Sequence, residues 1–301
     1  MWGKIKMKQS FHSVKASTQE KRAHKKDYGR EKIRLLYRDN DIAVIEKPSG
    51  MLTVPYPGSR ARTAVQVLGA MLSSSGIAAE PLVVHRLDRD TSGVMMFALN
   101  AAVQKKIMAQ WHTMVSERLY RAVAENPTHG TAADEGLIDS PLAFNAHTMG
   151  YVPKSTDKVK TVPARTHFRV VERGKTHTLF ELSLDTGKKN QIRAHLASIG
   201  YTLAGDENYR AESDPFHRLA LHARSLCFVH PTTGKEMRFE VSEPPEWLEF
   251  VKTNRTKCEA PVWKKEKPNH ENHVIIGERK VSKKQLSKMD FMDRMKYLHQ
   301  K

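Results

Sequence analysis

A chain of 301 residues, 39% of them apolar, is long enough to bury a substantial core as one large domain or two modest ones. It holds no run of roughly eighteen apolar residues, which excludes a helical membrane span. Its two cysteines, Cys227 and Cys258, lie outside any C-x-x-C spacing and support neither a thiolate zinc site nor a disulfide framework.

The net charge of +17 sits at the ends: residues 1–38 carry 12 Lys and Arg against 3 Asp and Glu, residues 252–301 carry 14 against 6, and the middle is neutral. Basic arms on a neutral body point to a polyanion held by counterion release; solubility or an anionic membrane surface are the alternatives. No apolar run follows the basic N-terminus, so a secretory signal is not expected, and the cysteine usage fits a reducing cytoplasm.

Residues 1–32, polar and aperiodic, are predicted to form a disordered basic arm. Ile33–Tyr37 and Ile42–Ile45 flank a polar turn and predict a hairpin. Lys47-Pro48-Ser49-Gly50 ends its second strand, since Pro48 lacks a ladder donor and Gly50 admits positive φ. Thr63 caps a predicted helix over 64–72, with Val65, Leu68 and Leu72 on one face. Leu82-Val83-Val84 and Val94–Leu99 then read as buried strands. Between them lies His85-Arg86-Leu87-Asp88-Arg89-Asp90-Thr91-Ser92-Gly93. Charge of that density between core strands is costly unless paired, and a loop at a strand end is where a scaffold presents reactive groups. On its composition alone the stretch is a charged surface turn or such a site.

Asn100 caps a helix predicted through Val115, with Val103, Ile107 and Trp111 as its core face. Glu117–Val123 alternates as a half-buried strand, in which Tyr120 alone reads as a core tyrosine. Residues 128–163 read as loops with short strands. Segments 167–172 and 178–184 alternate about Arg173-Gly174-Lys175 and predict a hairpin. Thr186-Gly187 punctuates its end, and a helix is predicted from Lys189 to Ile199, with Ile192, Leu196 and Ile199 apolar. Lys188 and Lys189 at that helix start oppose its dipole unless an anion such as phosphate sits there. His217, His222 and His230 could be read as a metal set, but no carboxylate accompanies them in sequence and packing is the preferred reading. Strand 237–241 and helix 246–251 close the fold. Residues 252–301 read as a basic extension, with a helix predicted over 282–298.

The stretch 85–93 resembles the His-Arg-Leu-Asp-x-x-Thr-Ser-Gly signature of the RNA pseudouridine synthases, specifically the RluA family, and the resemblance extends from about Ile33 to Trp247. It implies an α+β fold, with a mixed, largely antiparallel central sheet, flanking helices and a central catalytic cleft, over a catalytic domain at 33–251. It makes Asp88 the nucleophile. Arg118-Leu119-Tyr120-Arg121-Ala122 is similar to the family's Lys-x-Tyr-x-Ala, which makes Tyr120 the tyrosine that stacks on uracil. Gly187–His195 is similar to Gly-Arg-x-His-Gln-(Ile/Leu)-Arg-x-His, with Lys188-Lys189-Asn190 in place of Arg-Thr-His. Arg193 is then the partner of the nucleophile, because a carboxylate in an apolar pocket needs a cation beside it to stay charged. Arg86, Thr91, Lys188, Lys189 and Gln191 are expected to contact RNA. Lys47 reads first as structural and second as an RNA contact. Ile192 and Leu219 or Leu221 are expected in the uracil pocket. Gly205-Asp206 resembles a further family element and reads as structural.

The resemblance implies an RNA partner (ribosomal RNA or tRNA), no cofactor and no metal, and a monomer is expected. Residues 1–32 are too short and polar for the small S4-like RNA-binding domain that many members carry in front. A kinase-like reading of His-Arg-Leu-Asp fails, since no glycine-rich phosphate loop or Asp-Phe-Gly follows in the required context. A non-catalytic RNA-binding protein would be expected to lack Asp88, Tyr120 or Arg193, and all three are present.

Overall fold

The alternating segments join into one ten-stranded sheet. Its strands are β1 (Arg34–Arg38), β2 (Ile42–Lys47), β3 (Leu82–Val83), β4 (Ser92–Ala98), β5 (Val115–Glu125), β6 (Glu135–Asp139), β9 (Arg165–Arg173), β10 (His177–Leu184), β11 (Leu221–Val229) and β12 (Glu236–Glu240). A short separate ladder pairs β7 (Ala143–Phe144) with β8 (Gly150–Tyr151). The computed structural model describes residues 32–56, 58–59, 61–255, 273–276 and 279–282. The chain divides into two units, Met1–Cys258 and Glu259–Lys301. In the second, the described residues form one antiparallel hairpin of β13 (His273–Ile276) and β14 (Arg279–Ser282). The arm expected at 1–32 and the helix expected over 282–298 lie outside the described residues except for Lys32 and Ser282.

The strand order is β1-β2-β4-β11-β5-β10-β9-β6, with β3 added to β4 and β12 to β11. Every described pairing in this sheet is antiparallel except β4 with β11, which meet at His222 against Ser92 and Ala223 against Gly93. The sheet is mixed and largely antiparallel, with few helices, as an α+β fold requires.

Strand β4 is buried along its whole length, so its alternate residues serve two cores. Met95 and Phe97 face Leu68 and Leu72 of α1 (Ala64–Ser74). Val94, Met96 and Ala98 face Val103 and Ile107 of α2 (Ala101–Ala109). The other half repeats the plan. Ala122, Phe180 and Leu182 meet Ile192 and Leu196 of α4 (Gln191–Ser198), while Val123 and Leu179 meet Trp247 and Phe250 of α5 (Glu246–Thr253). Thr63 caps α1 with a reciprocal Gln66 bond, and Asn100 caps α2 through the Val103 N–H.

Three predicted elements differ. The helix expected over 100–115 breaks at Gln110 (φ −112°, ψ 17°) into α2 and a single turn, α3 (Trp111–Met114). The helix expected from Lys189 starts at Gln191, because Asn190 is left-handed (φ 57°, ψ 20°). Leu82–Val84 forms a two-residue, half-buried strand, since β3 pairs only with the far end of β4.

Candidate active site

The polar stretch 85–91 crosses from β3 to β4 as a loop whose backbone is held from below. Leu87 O accepts from the Thr53 hydroxyl (2.8 Å), Asp90 O from the Ser49 hydroxyl (2.8 Å), and Arg89 O from the Gly50 N–H (2.9 Å). The Lys47 ammonium is fully buried and donates to the carbonyls of Pro48 (2.8 Å), Met51 (2.8 Å) and Arg89 (2.9 Å). The Thr91 N–H closes the turn on Asp88 O (3.2 Å). Gly93 follows at φ 117°, where a Cβ would lie 2.1 Å from Ala223 O, so only glycine lets β4 and β11 approach here. Beside it the Ser92 hydroxyl bonds His222 Nδ1 (2.8 Å) and accepts from Arg218 (2.7 Å).

The facing wall comes from the end of β10 and the start of α4. Asn190, in its left-handed conformation, donates from Nδ2 to Asp88 Oδ2 (2.8 Å). Arg193, three residues on and buried, gives Nε and Nη2 to the two oxygens of Asp206, each at 2.7 Å. Its remaining nitrogen, Nη1, lies 4.0 Å from Asp88 Oδ2. The guanidinium also stacks on the Tyr209 ring, 5.0 Å from its centroid. Asp206 further caps the Glu207–Tyr209 turn, and the Tyr209 hydroxyl donates to Gly150 O. One buried arginine thus joins two carboxylates, with the internal one gripping it bidentately.

Between the walls lies a cleft of about 630 Å³. Asp88, 31% exposed through its side chain, lines it with Tyr120, Arg118, Ile192, Leu221 and Arg86. Burial raises the Tyr120 pKa, Asp88's charge adds to that, and Arg118 opposes it, so the phenol is neutral at physiological pH. Arg118 donates to Leu184 O (2.8 Å). His85 accepts from the Met96 N–H (2.9 Å), and burial, aided by Arg118's charge, pushes its imidazole down to about 3. The arrangement therefore sets a carboxylate, a buried cation, a neutral phenol and apolar walls around one cleft.

Most expected site residues meet here: Asp88, Tyr120, Arg193, Arg86, Thr91, Lys188, Lys189, Ile192 and Leu221 line the cleft. Three of the expected residues have further ties inside the fold. The Lys47 ammonium is spent on internal carbonyls, in keeping with the structural role read first for it. Gln191 borders the cleft, yet its amide is spent on Thr186, Lys188 N, Arg165 O and Thr166, which tie α4 to β9. Leu219 packs in the core beneath α4, and of the Leu219 and Leu221 pair only Leu221 borders the cleft. Two partners escaped the sequence reading: Asn190, and Asp206 as the chief partner of Arg193. The three histidines have other partners or positions. His222 bonds Ser92 and Val241 O, His230 bonds Asp39, and His217 is exposed. Among the described residues no group of three His, Cys, Asp or Glu converges as metal ligands, and no helix is long and apolar enough to cross a membrane.

Residues 41–198 match the family model described as RNA pseudouridylate synthase. The chain is 37% identical over 226 residues to the uncharacterized RNA pseudouridine synthase YlyB of Bacillus subtilis, covering 73% of this chain and 72% of that one. It is 33% identical over 230 residues to ribosomal large subunit pseudouridine synthase D of Zymomonas mobilis, covering 71% and 70%. The fold is similar to that of human RNA pseudouridylate synthase domain containing 1, with a TM-score of 0.58 at 22% identity over 71% of this chain and 84% of that one. With its family motifs gathered around one cleft and its sequence matched over most of its length, the chain belongs to the RluA-type RNA pseudouridine synthases, isomerases that modify RNA.

Proposed function

We propose that Asp88 is the nucleophile that isomerises a uridine of ribosomal RNA or tRNA in this cleft, with large-subunit ribosomal RNA the first substrate to try. The target uridine is flipped from its RNA, as chemistry on a base requires. Asp88 drives cleavage of the C1′–N1 bond, the uracil turns, C5 bonds to C1′, the C5 proton leaves, and N1 carries a proton in the product. Tyr120 stacks on the uracil as a neutral phenol, Arg193 keeps a cation beside the carboxylate, and Leu221 with Ile192 forms the apolar wall. Arg86 holds the RNA open, while Lys188 and Lys189, both exposed, grip phosphates. The catalytic unit is residues 33–251, acting as a monomer in the cytoplasm, with the basic ends adding affinity.

The observation that carries this reading is Asp88 itself: a carboxylate open to the cleft, bonded by Asn190 and 4.0 Å from a buried arginine, with Tyr120 lining the same cleft. The reading is tested by tritium release from RNA labelled at uridine C5, with ribosomal RNA and tRNA transcripts assayed separately. The intact chain is expected to release tritium from one class, and Asp88→Ala to lose it by more than about a thousandfold. Equal release by both proteins would remove Asp88 from the role.

A further inference from the structure

The cleft extends beyond the catalytic group. It is also bounded by Val84, His85, Met108, Trp111 and His112. The break at Gln110 makes this wall. Trp111 begins a new turn, half-buried, packing against the core cluster that holds Val94 and Met96 while bordering the cleft. The His85 ring lies 5.0 Å from the Trp111 ring at 36°, and the Met96 N–H pins that imidazole. Met108 is 60% exposed, an apolar side chain left in solvent at the cleft rim. Arg86, Lys188 and Lys189, all exposed, border the same cleft. A fixed aromatic plane with an apolar rim among cations is the composition that holds unpaired bases and their phosphates.

Building on the reading above, we propose that Trp111, with Met108 beside it, is a stacking shelf for a second unpaired base, the neighbour of the target uridine in the same RNA strand. The shelf holds the strand open while the target occupies the space at Asp88. It takes any base, because every base has a π-face, so it contributes affinity without sequence preference.

The test uses an RNA fragment in which the full chain isomerises one uridine, alongside fragments made abasic on either side of it. Trp111→Leu is expected to raise KM about tenfold and leave kcat within about twofold, with Trp111→Phe recovering most of the loss. Removing the neighbouring base should raise KM equally for the intact chain and add nothing in Trp111→Leu, since both changes delete the same contact. The shelf is overturned if KM is unchanged in Trp111→Leu, if the two losses multiply, or if both variants lose KM only in step with their melting temperature. Should the intact chain isomerise no uridine, the catalytic reading fails separately. Anisotropy of labelled oligouridylate then decides the shelf alone: about tenfold weaker binding by Trp111→Leu supports it, and equal binding overturns it.

Discussion

The two walls of the cleft are held by different forces. The loop bearing Asp88 is fixed through its main chain, by Thr53, Ser49, Gly50 and Lys47 reaching its carbonyls. The wall bearing Arg193 is fixed through side chains, by a bidentate ion pair to Asp206 and a ring beneath it. The first design leaves the motif's side chains available to face the cleft. The second commits most of one guanidinium internally and presents only the remainder to the nucleophile. Asp88 is placed by backbone, and its electrostatic neighbour is placed by another acid.

The largest effect should come from breaking the second design. Asp206→Asn leaves a buried guanidinium facing a neutral amide, with Asp88 4.0 Å away as the carboxylate remaining. It is expected to cost about 3–5 kcal/mol in urea unfolding and to lower kcat. An unchanged unfolding midpoint would mean that the ion pair does not hold this wall. Lys47→Met attacks the first design by taking the buried donor from three carbonyls. About 1–3 kcal/mol should be lost, with RNA affinity of the folded protein unchanged. Weaker RNA binding at full stability would return Lys47 to the RNA surface.

A smaller effect isolates the contact between the walls. Asn190→Gly keeps the left-handed backbone and deletes the amide that reaches Asp88. kcat should fall about tenfold with little change in melting temperature, since hydrogen bonds to charged groups contribute about 1.5–3 kcal/mol. Normal turnover would show that the bond is incidental.

The gentlest test is pH, because burial favours the neutral imidazole at several histidines, among them His85, His177, His195 and His222. Burial pushes His177 down to about 4 and His85, with Arg118's help, to about 3, against an ordinary 6.5. The unfolded chain therefore takes up protons first. Stability from these groups is level above about pH 6.5 and falls as pH drops below it. His177→Gln should flatten part of the loss above pH 4 and leave the portion due to His85, His195 and His222. An unaltered slope would assign the acid sensitivity elsewhere.

Much of this was legible from pattern. Alternation located the hairpins, caps located α1 and α2, and the dense polar loop between apolar runs located the site. What escaped depends on contacts distant in sequence or on a single backbone angle. Asp206 lies 13 residues from Arg193, and a Gly-Asp pair at a turn does not announce that its carboxylate faces back. Asn190 was counted at the helix entry, and only its left-handed φ turns the amide toward a residue 102 positions earlier. Lys47 reads as structural from its Pro-x-Gly context, but the carbonyls it reaches, Arg89 O above all, belong to a loop 42 residues on. The signal at Gln110 was weak, because Trp111 beyond the break keeps the four-residue spacing of Val103 and Ile107 before it.

The position of β11 also governs when the site comes into being. Asp88 follows β3, Tyr120 rides on β5, and Arg193 lies beyond β10, yet the strand separating β4 from β5 spans residues 221–229. Ser92 finds His222 only across 130 residues of chain. A nascent polypeptide emerging from the ribosome therefore holds every reactive group well before it holds the strand that spaces them. Closing so long a loop is slow relative to forming the local hairpins. Catalytic competence should switch on late in synthesis and all at once, and a chain stopped before β11 should be inert despite carrying the full signature.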